Sequence, residues 1–160
     1  MAVKGRVRAV TRVFAAVSCA LALLVAGCGG GPDKDEYVKE FNQVGNTLER
    51  TLTSLGTDIT GSTDPKEIGT KLDDGAKALD DAAKELDELE PPDDAQEAHD
   101  KIVSGVQDLA KTFRTGADQA RSNDLSKLVT TFSSIEGSAG ATKIKEAQQE
   151  LKDKGYKVEE

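Results

Sequence analysis

Tyr37, Phe41, Val44, Leu48, Leu52, Leu55 and Ile59 recur at steps of three and four, about 3.7 residues on average. That spacing lays one apolar stripe along a nearly straight helix, and the stripe needs partners to cover it. The pattern returns twice. Ile68, Leu72, Gly75, Leu79, Ala82, Leu86 and Leu89 alternate steps of four and three, a local heptad seam of coiled-coil type. Ala98, Ile102, Val106, Leu109, Phe113, Ala117 and Ala120 form the third stripe. No alternating apolar run of strand length occurs, so the chain reads as all-α.

Breaks between the stripes are well marked. Gly61-Ser62-Thr63 ends the first; Asp64 then suits an N-cap, with Pro65 at the first helical position and Glu67 placed to reach back as in a capping box. Pro91-Pro92 must interrupt the second helix, and Asp93 and Asp94 suit the positive N-terminus of a third. Ser122-Asn123-Asp124 marks another break and cap. Beyond it lie two apolar groups, Leu125, Leu128, Phe132 and Ile135, then Ile144, Ala147 and Leu151. Glu136-Gly137-Ser138-Ala139-Gly140 separates them, and two helical glycines at about 1 kcal/mol each predict a kink or break there. Gly155 suits a left-handed C-cap, with Tyr156 packing back on Leu151 in a Schellman motif. Four helical units with short connections predict an up-and-down four-helix bundle over residues 36–158, its last helix kinked or broken near Gly137 to Gly140. Acid-first pairs support its solvent faces: Asp35 and Lys39, Asp73 and Lys77, Asp80 and Lys84, Glu97 and Lys101, Glu150 and Lys154.

The N-terminus has a different character. Lys4, Arg6, Arg8 and Arg12 form a basic start without an acid, and Val13 to Val25 form an apolar run of 13 residues. As a helix this run would rise about 20 Å, short of a ~30 Å hydrocarbon core, so removal after targeting is favoured over permanent spanning. Small Ala26 and Gly27 then precede a cysteine. Leu24-Val25-Ala26-Gly27-Cys28 resembles the lipobox of bacterial lipoprotein signals. That resemblance implies cleavage between Gly27 and Cys28, with a diacylglyceryl group on the Cys28 thiol and acylation of the new N-terminus. It divides the chain into a signal peptide, residues 1–27; a lipidated cysteine and flexible glycine-rich tether, residues 28–35; and the helical domain. The expected location is the extracytoplasmic face of the cell membrane, since two lipid chains anchor stably where one does not.

Charge and cysteine content narrow the functions available. Loss of residues 1–27 removes four bases and no acid, taking the net charge from −8 to −12. Such a field repels nucleic acid, so no nucleic-acid partner is expected. Cys19 leaves with the signal and Cys28 is alkylated, so no thiol remains for disulfide, metal or catalysis. His99 is the single histidine and no nucleophile motif accompanies it, which favours a boundary or solvent role over a catalytic one. Position 96 is Gln, which excludes the paired Glu-x-x-His motifs of di-iron bundles. Twelve acids against two lysines between Asp73 and Asp100 lack EF-hand spacing, so no metal site and no cofactor beyond the covalent lipid is expected. A glycosidase is disfavoured by the absence of Trp, and an envelope enzyme ranks third among the function classes.

Leu86-Asp87-Glu88-Leu89-Glu90-Pro91-Pro92, Glu146-Ala147-Gln148-Gln149-Glu150-Leu151 and Gly155-Tyr156 resemble segments of small helical lipoproteins of actinobacteria. The resemblance implies surface location and bundle architecture, and carries over no functional residue. The leading expectation is a non-catalytic interaction module of the cell envelope. Its candidate docking patch for an envelope protein is Asp80, Asp81, Glu85, Asp87, Glu88, Glu90, Asp93 and Asp94, which form an acidic corner. The alternative is a carrier of a lipid or small apolar ligand, with room left by Gly75, Ala76, Ala82 and Ala83; close helix packing is the plainer use of these small residues.

Overall fold

Side-chain oxygens of Asp33, Asp64, Asp124 and Ser138 each accept a hydrogen bond from a backbone amide two or three residues on, and each of these caps opens a helix. Such caps contribute about 0.5–2 kcal/mol each. The computed structural model describes residues 33–159, and the signal, Gly27, Cys28 and the tether through Pro32 lie outside them. The described chain is all-α: α1 (Lys34–Thr60), α2 (Pro65–Asp87), α3 (Gln96–Arg121), α4 (Leu125–Ser133), a 3₁₀ turn (Ile135–Gly137) and α5 (Ala139–Asp153). Five α-helices thus stand where a four-helix count was expected. Helix α1 begins at Lys34, two residues ahead of the expected domain start.

The additional helix arises from the break between α4 and α5. Ser134 and Ser138 leave helical geometry, and the Ser138 hydroxyl restarts the chain by capping Ala141. Gly140 was expected to weaken a helix here, but its role is close approach. A Cβ on Gly140 would lie 2.7 Å from the Gly105 carbonyl oxygen, and one on Gly105 would lie 2.8 Å from that of Gly140, so these two residues let α5 and α3 meet backbone to backbone.

Helix α3 is central, packing against α2, α4 and α5, while α1 lies on α2. The three long stripes face inward as their spacing predicts, although Leu48, Leu52, Leu55 and Ile59 of α1 stay only half-buried. Tyr37, Phe41 and Val44 of α1 join Leu79, Ala82, Ala83 and Leu86 of α2 and Ala98, Ile102, Val106 and Ala110 of α3 in the main core. A smaller cluster at the other end holds Leu72, Ala117 and Ala120, with Phe132 of α4 edge-on to Phe113. Gly75, Ala76, Ala82 and Ala83 pack between helices. All four are buried, and Phe113 fills the space over Gly75.

Several local expectations are revised. Glu67 does not close a capping box on Asp64; its carboxylate accepts from the Ser62 hydroxyl, whose oxygen in turn accepts from the Asp64 amide. Helix α3 starts at Gln96 after a turn, capped by no side chain, so Asp93 and Asp94 precede it rather than fill its first turn. Helix α4 buries none of its residues, and Leu125 and Val129 are exposed. Of the expected acid-first pairs, Glu97 with Lys101 and Glu150 with Lys154 form, whereas Asp73 and Asp80 reach across to Arg121 and Arg114 of α3.

Candidate functional site

Helices α1 and α5 hardly touch one another, because each packs on a different central helix. The gap between them is an open cleft of about 250 Å³. Its floor is apolar: Leu79 and Leu86 of α2, with Ile102 and Val106 of α3. Its walls are Phe41, Leu48 and Leu52 of α1 facing Leu109 of α3 and Ile144 of α5. Leu48, Leu52, Leu109 and Ile144 remain only half-buried. A stripe at 3.7-residue spacing presents more apolar surface than α2 alone can cover, and the surplus lines this cleft.

The rim is polar and carries the C-terminal segment. Gly155, at φ +82°, turns the chain out of α5, and the Tyr156 amide donates to the Leu151 carbonyl at 2.9 Å, as the sequence predicts. Tyr156 and Val158 are buried, while Lys157 and Glu159 between and beyond them face out. The Asn42 side chain reads this segment in both directions, donating to the Lys157 carbonyl at 3.0 Å and accepting from the Glu159 amide at 3.0 Å. Asn46 donates to the Glu159 carboxylate at 2.9 Å, and Gln148 of α5 donates to the Glu159 carbonyl at 3.3 Å. The last residues therefore tie α1 to α5 across one end of the cleft.

A knot of polar side chains closes the neighbouring end of the bundle. His99 is buried at 3% exposure, contrary to a boundary or solvent role. Its Nδ1 lies 3.0 Å from the Tyr37 hydroxyl, and it shares a further hydrogen bond with the Leu86 backbone. Burial lowers the His99 pKa below its ordinary 6.5, against the opposing pull of Asp100 and Asp87. The neutral ring therefore accepts a hydrogen bond from the Tyr37 hydroxyl, and it links α3 to α1 and α2. Burial likewise raises the Tyr37 phenol well above its ordinary range. Tyr156 stands edge-on to Tyr37 and donates to Asp94 at 2.5 Å, while Lys34 lies over its ring and donates to the Lys154 carbonyl.

The residues of the acidic corner stand in several different settings. Asp80 is paired with Arg114, Asp81 with Lys77, and Glu88 with Lys84. Asp94 is engaged by Tyr156. Asp80 and Asp87 line a crevice with Lys84, Lys111 and Arg114, and Glu88 and Glu90 line another with residues of α1. Glu85 and Asp93 are exposed. Among the described residues, no group of three or more His, Cys, Asp or Glu side chains is arranged to hold a metal ion. No described helix is long and apolar enough to cross a membrane.

The sequence matches no protein-family model, and neither a curated protein nor a solved structure matches it.

The cleft and its C-terminal tie were not read from the sequence. Two signals for them exist. Asn42 and Asn46 sit one turn apart beside an apolar stripe, and Tyr156-Lys157-Val158-Glu159 alternates apolar and polar residues as an extended packed segment does.

Proposed function

We propose that this protein is a non-catalytic binding module of the cell envelope, held on the extracytoplasmic face of the membrane through lipid on Cys28. Its recognition surface in this reading is the α1–α5 cleft rather than the acidic corner. The observation that carries the reading is an open cleft whose floor reaches core residues Leu79, Leu86, Ile102 and Val106. Water in such a cleft contacts mostly hydrocarbon, so an apolar group entering it is stabilised by about 25 cal/mol per Å² of apolar surface covered. The acidic corner supports docking less well, since Asp80, Asp81 and Glu88 already face bases of the same chain. We read α4 and α5 as halves of one fourth unit, both packed on α3, so that the bundle keeps an up-and-down plan broken at Ser134–Ser138.

Titrating 1-octanol into the full-length acylated protein, observed through Leu, Ile and Val methyl resonances, tests the cleft. Shifts gathered on Leu48, Leu52, Leu109 and Ile144 are expected. Shifts confined to exposed Leu125 and Val129, or no saturable shift, would remove the cleft as a binding surface.

A further inference from the structure

The polar rim sets what the cleft accepts. Among the described residues, its charged lining consists of Glu49 and Glu159, with no lysine or arginine. The Glu159 carboxylate accepts from Asn46, an uncharged donor, so this hydrogen bond holds it at the rim without neutralising it. A fatty acid or another anionic amphiphile entering head-outward would set its charge against both carboxylates. A cationic group would be drawn to the same place.

Size limits the occupant further. A cavity of about 150 Å³ takes one benzene, and drug-sized ligands need about 300 Å³ or more. The cleft, at about 250 Å³, holds one or two apolar side chains and is too small for a two-tailed lipid.

The rim also already holds polypeptide. Asn42 pairs with the carbonyl of Lys157 and the amide of Glu159, the two main-chain groups that any extended segment offers on one edge. Val158 between them is buried. The chain's own tail thus demonstrates the mode of contact, in which apolar side chains point inward and the main chain is read by amides.

Resting on the cleft as the recognition surface, we infer that its occupant is a segment of a partner protein that places one or two apolar side chains against Leu48, Leu52 and Ile144 and a lysine or arginine against Glu49 and Glu159.

The test uses the full-length acylated protein in neutral phosphatidylcholine nanodiscs, which do not themselves attract cationic peptides. Two fluorescent, end-blocked peptides are compared by anisotropy, one with a leucine pair flanked by lysines and one with the same pair flanked by glutamates. The lysine peptide is expected to bind about tenfold tighter or more, with the preference falling as salt rises. The double variant Glu49→Gln/Glu159→Gln, altered only at exposed positions, should bring the two peptides close to parity. Equal binding of both peptides to the unaltered protein would overturn the charge assignment while leaving the cleft in place. Octanol shifts on the cleft methyls with neither peptide binding would overturn the polypeptide assignment and point to a small apolar ligand. Failure of octanol to move those methyls would remove the cleft reading itself, and this inference with it.

Discussion

The Tyr37 hydroxyl meets Nδ1 of His99 at 3.0 Å, across 62 positions of sequence, inside the end of the bundle nearest the N-terminus of the described chain. The pair joins α1 to α3 where neither partner can bond to water. A hydrogen bond of this kind contributes about 0.5–1.5 kcal/mol net, and orphaning either partner costs about 1–3 kcal/mol.

Acidification should weaken the fold in two windows. The folded His99 pKa lies below its ordinary 6.5, so between the two values the unfolded chain binds more protons and stability falls as pH falls. Thermal unfolding should therefore show a declining Tm as pH drops from about 6.5. His99→Gln, which retains hydrogen-bonding capacity at lower starting stability, should flatten that decline. A second loss follows at lower pH. Lys111 and Lys143 hold Asp108, and Lys154 and Lys101 hold Glu150, below the usual carboxylate range. The stabilisation these carboxylates provide is present above their unfolded pKa values and disappears as each is protonated. An unchanged decline near pH 6 in His99→Gln would assign the first window to other groups.

Glycine substitutions should separate close approach from simple flexibility. Gly140→Ala pushes a methyl against the Gly105 carbonyl, a backbone atom that cannot rotate away, and should destabilise by about 1–3 kcal/mol. Gly56→Ala meets nothing within 4 Å on an exposed face of α1 and should stabilise by about 0.5–1 kcal/mol. Urea denaturation of both variants reads the difference directly.

Binding should follow the cleft and ignore the corner. Reversing Asp81, Glu85 and Glu88 alters exposed residues, and the ion pairs of Asp81 and Glu88 are each worth at most about 1 kcal/mol. That variant should bind the lysine-flanked peptide as the unaltered protein does. Leu52→Lys, at a half-buried cleft wall, should reduce binding by about tenfold or more while leaving the helical circular dichroism signal intact. The opposite pattern would return recognition to the acidic corner.

Membrane attachment is proposed to rest on one atom, the Cys28 sulfur. Cys28→Ala should move the protein from the membrane fraction to the soluble one or leave it unprocessed, and intact mass of the unaltered protein should exceed that of its polypeptide by diacylglyceryl and acyl groups. Complete membrane retention of Cys28→Ala, together with a bare polypeptide mass in the unaltered protein, would exclude lipid anchoring.

The three long helices were legible because each depends on local information. Asp64-Pro65 sets where α2 starts, and the 3.7-residue stripe from Tyr37 to Ile59 sets which side of α1 faces inward. Gly155 and Tyr156 were legible for the same reason, since a Schellman motif involves only a few neighbouring residues. What was not legible depends on partners distant in sequence. The burial of His99 requires Tyr37, and Asp73 prefers Arg121 to its helical neighbour Lys77 because α3 brings a guanidinium within reach. The cleft is harder still to read. It exists because α1 and α5 pack on different helices, and no residue of either helix encodes that separation alone.

Asn42 and the Lys157 carbonyl that it holds are separated by 115 positions. Helix α1 can pair with α2 before α5 is made, but its connection to α5 must wait for Lys157 and Glu159. Assembly of the cleft therefore follows pairing of α1 with α2, and it closes one of the longest loops among the described residues. A polypeptide ending before Tyr156 lacks the strap between the cleft's two walls and two core side chains, Tyr156 and Val158. Cutting the chain there would thus act on recognition and on stability together.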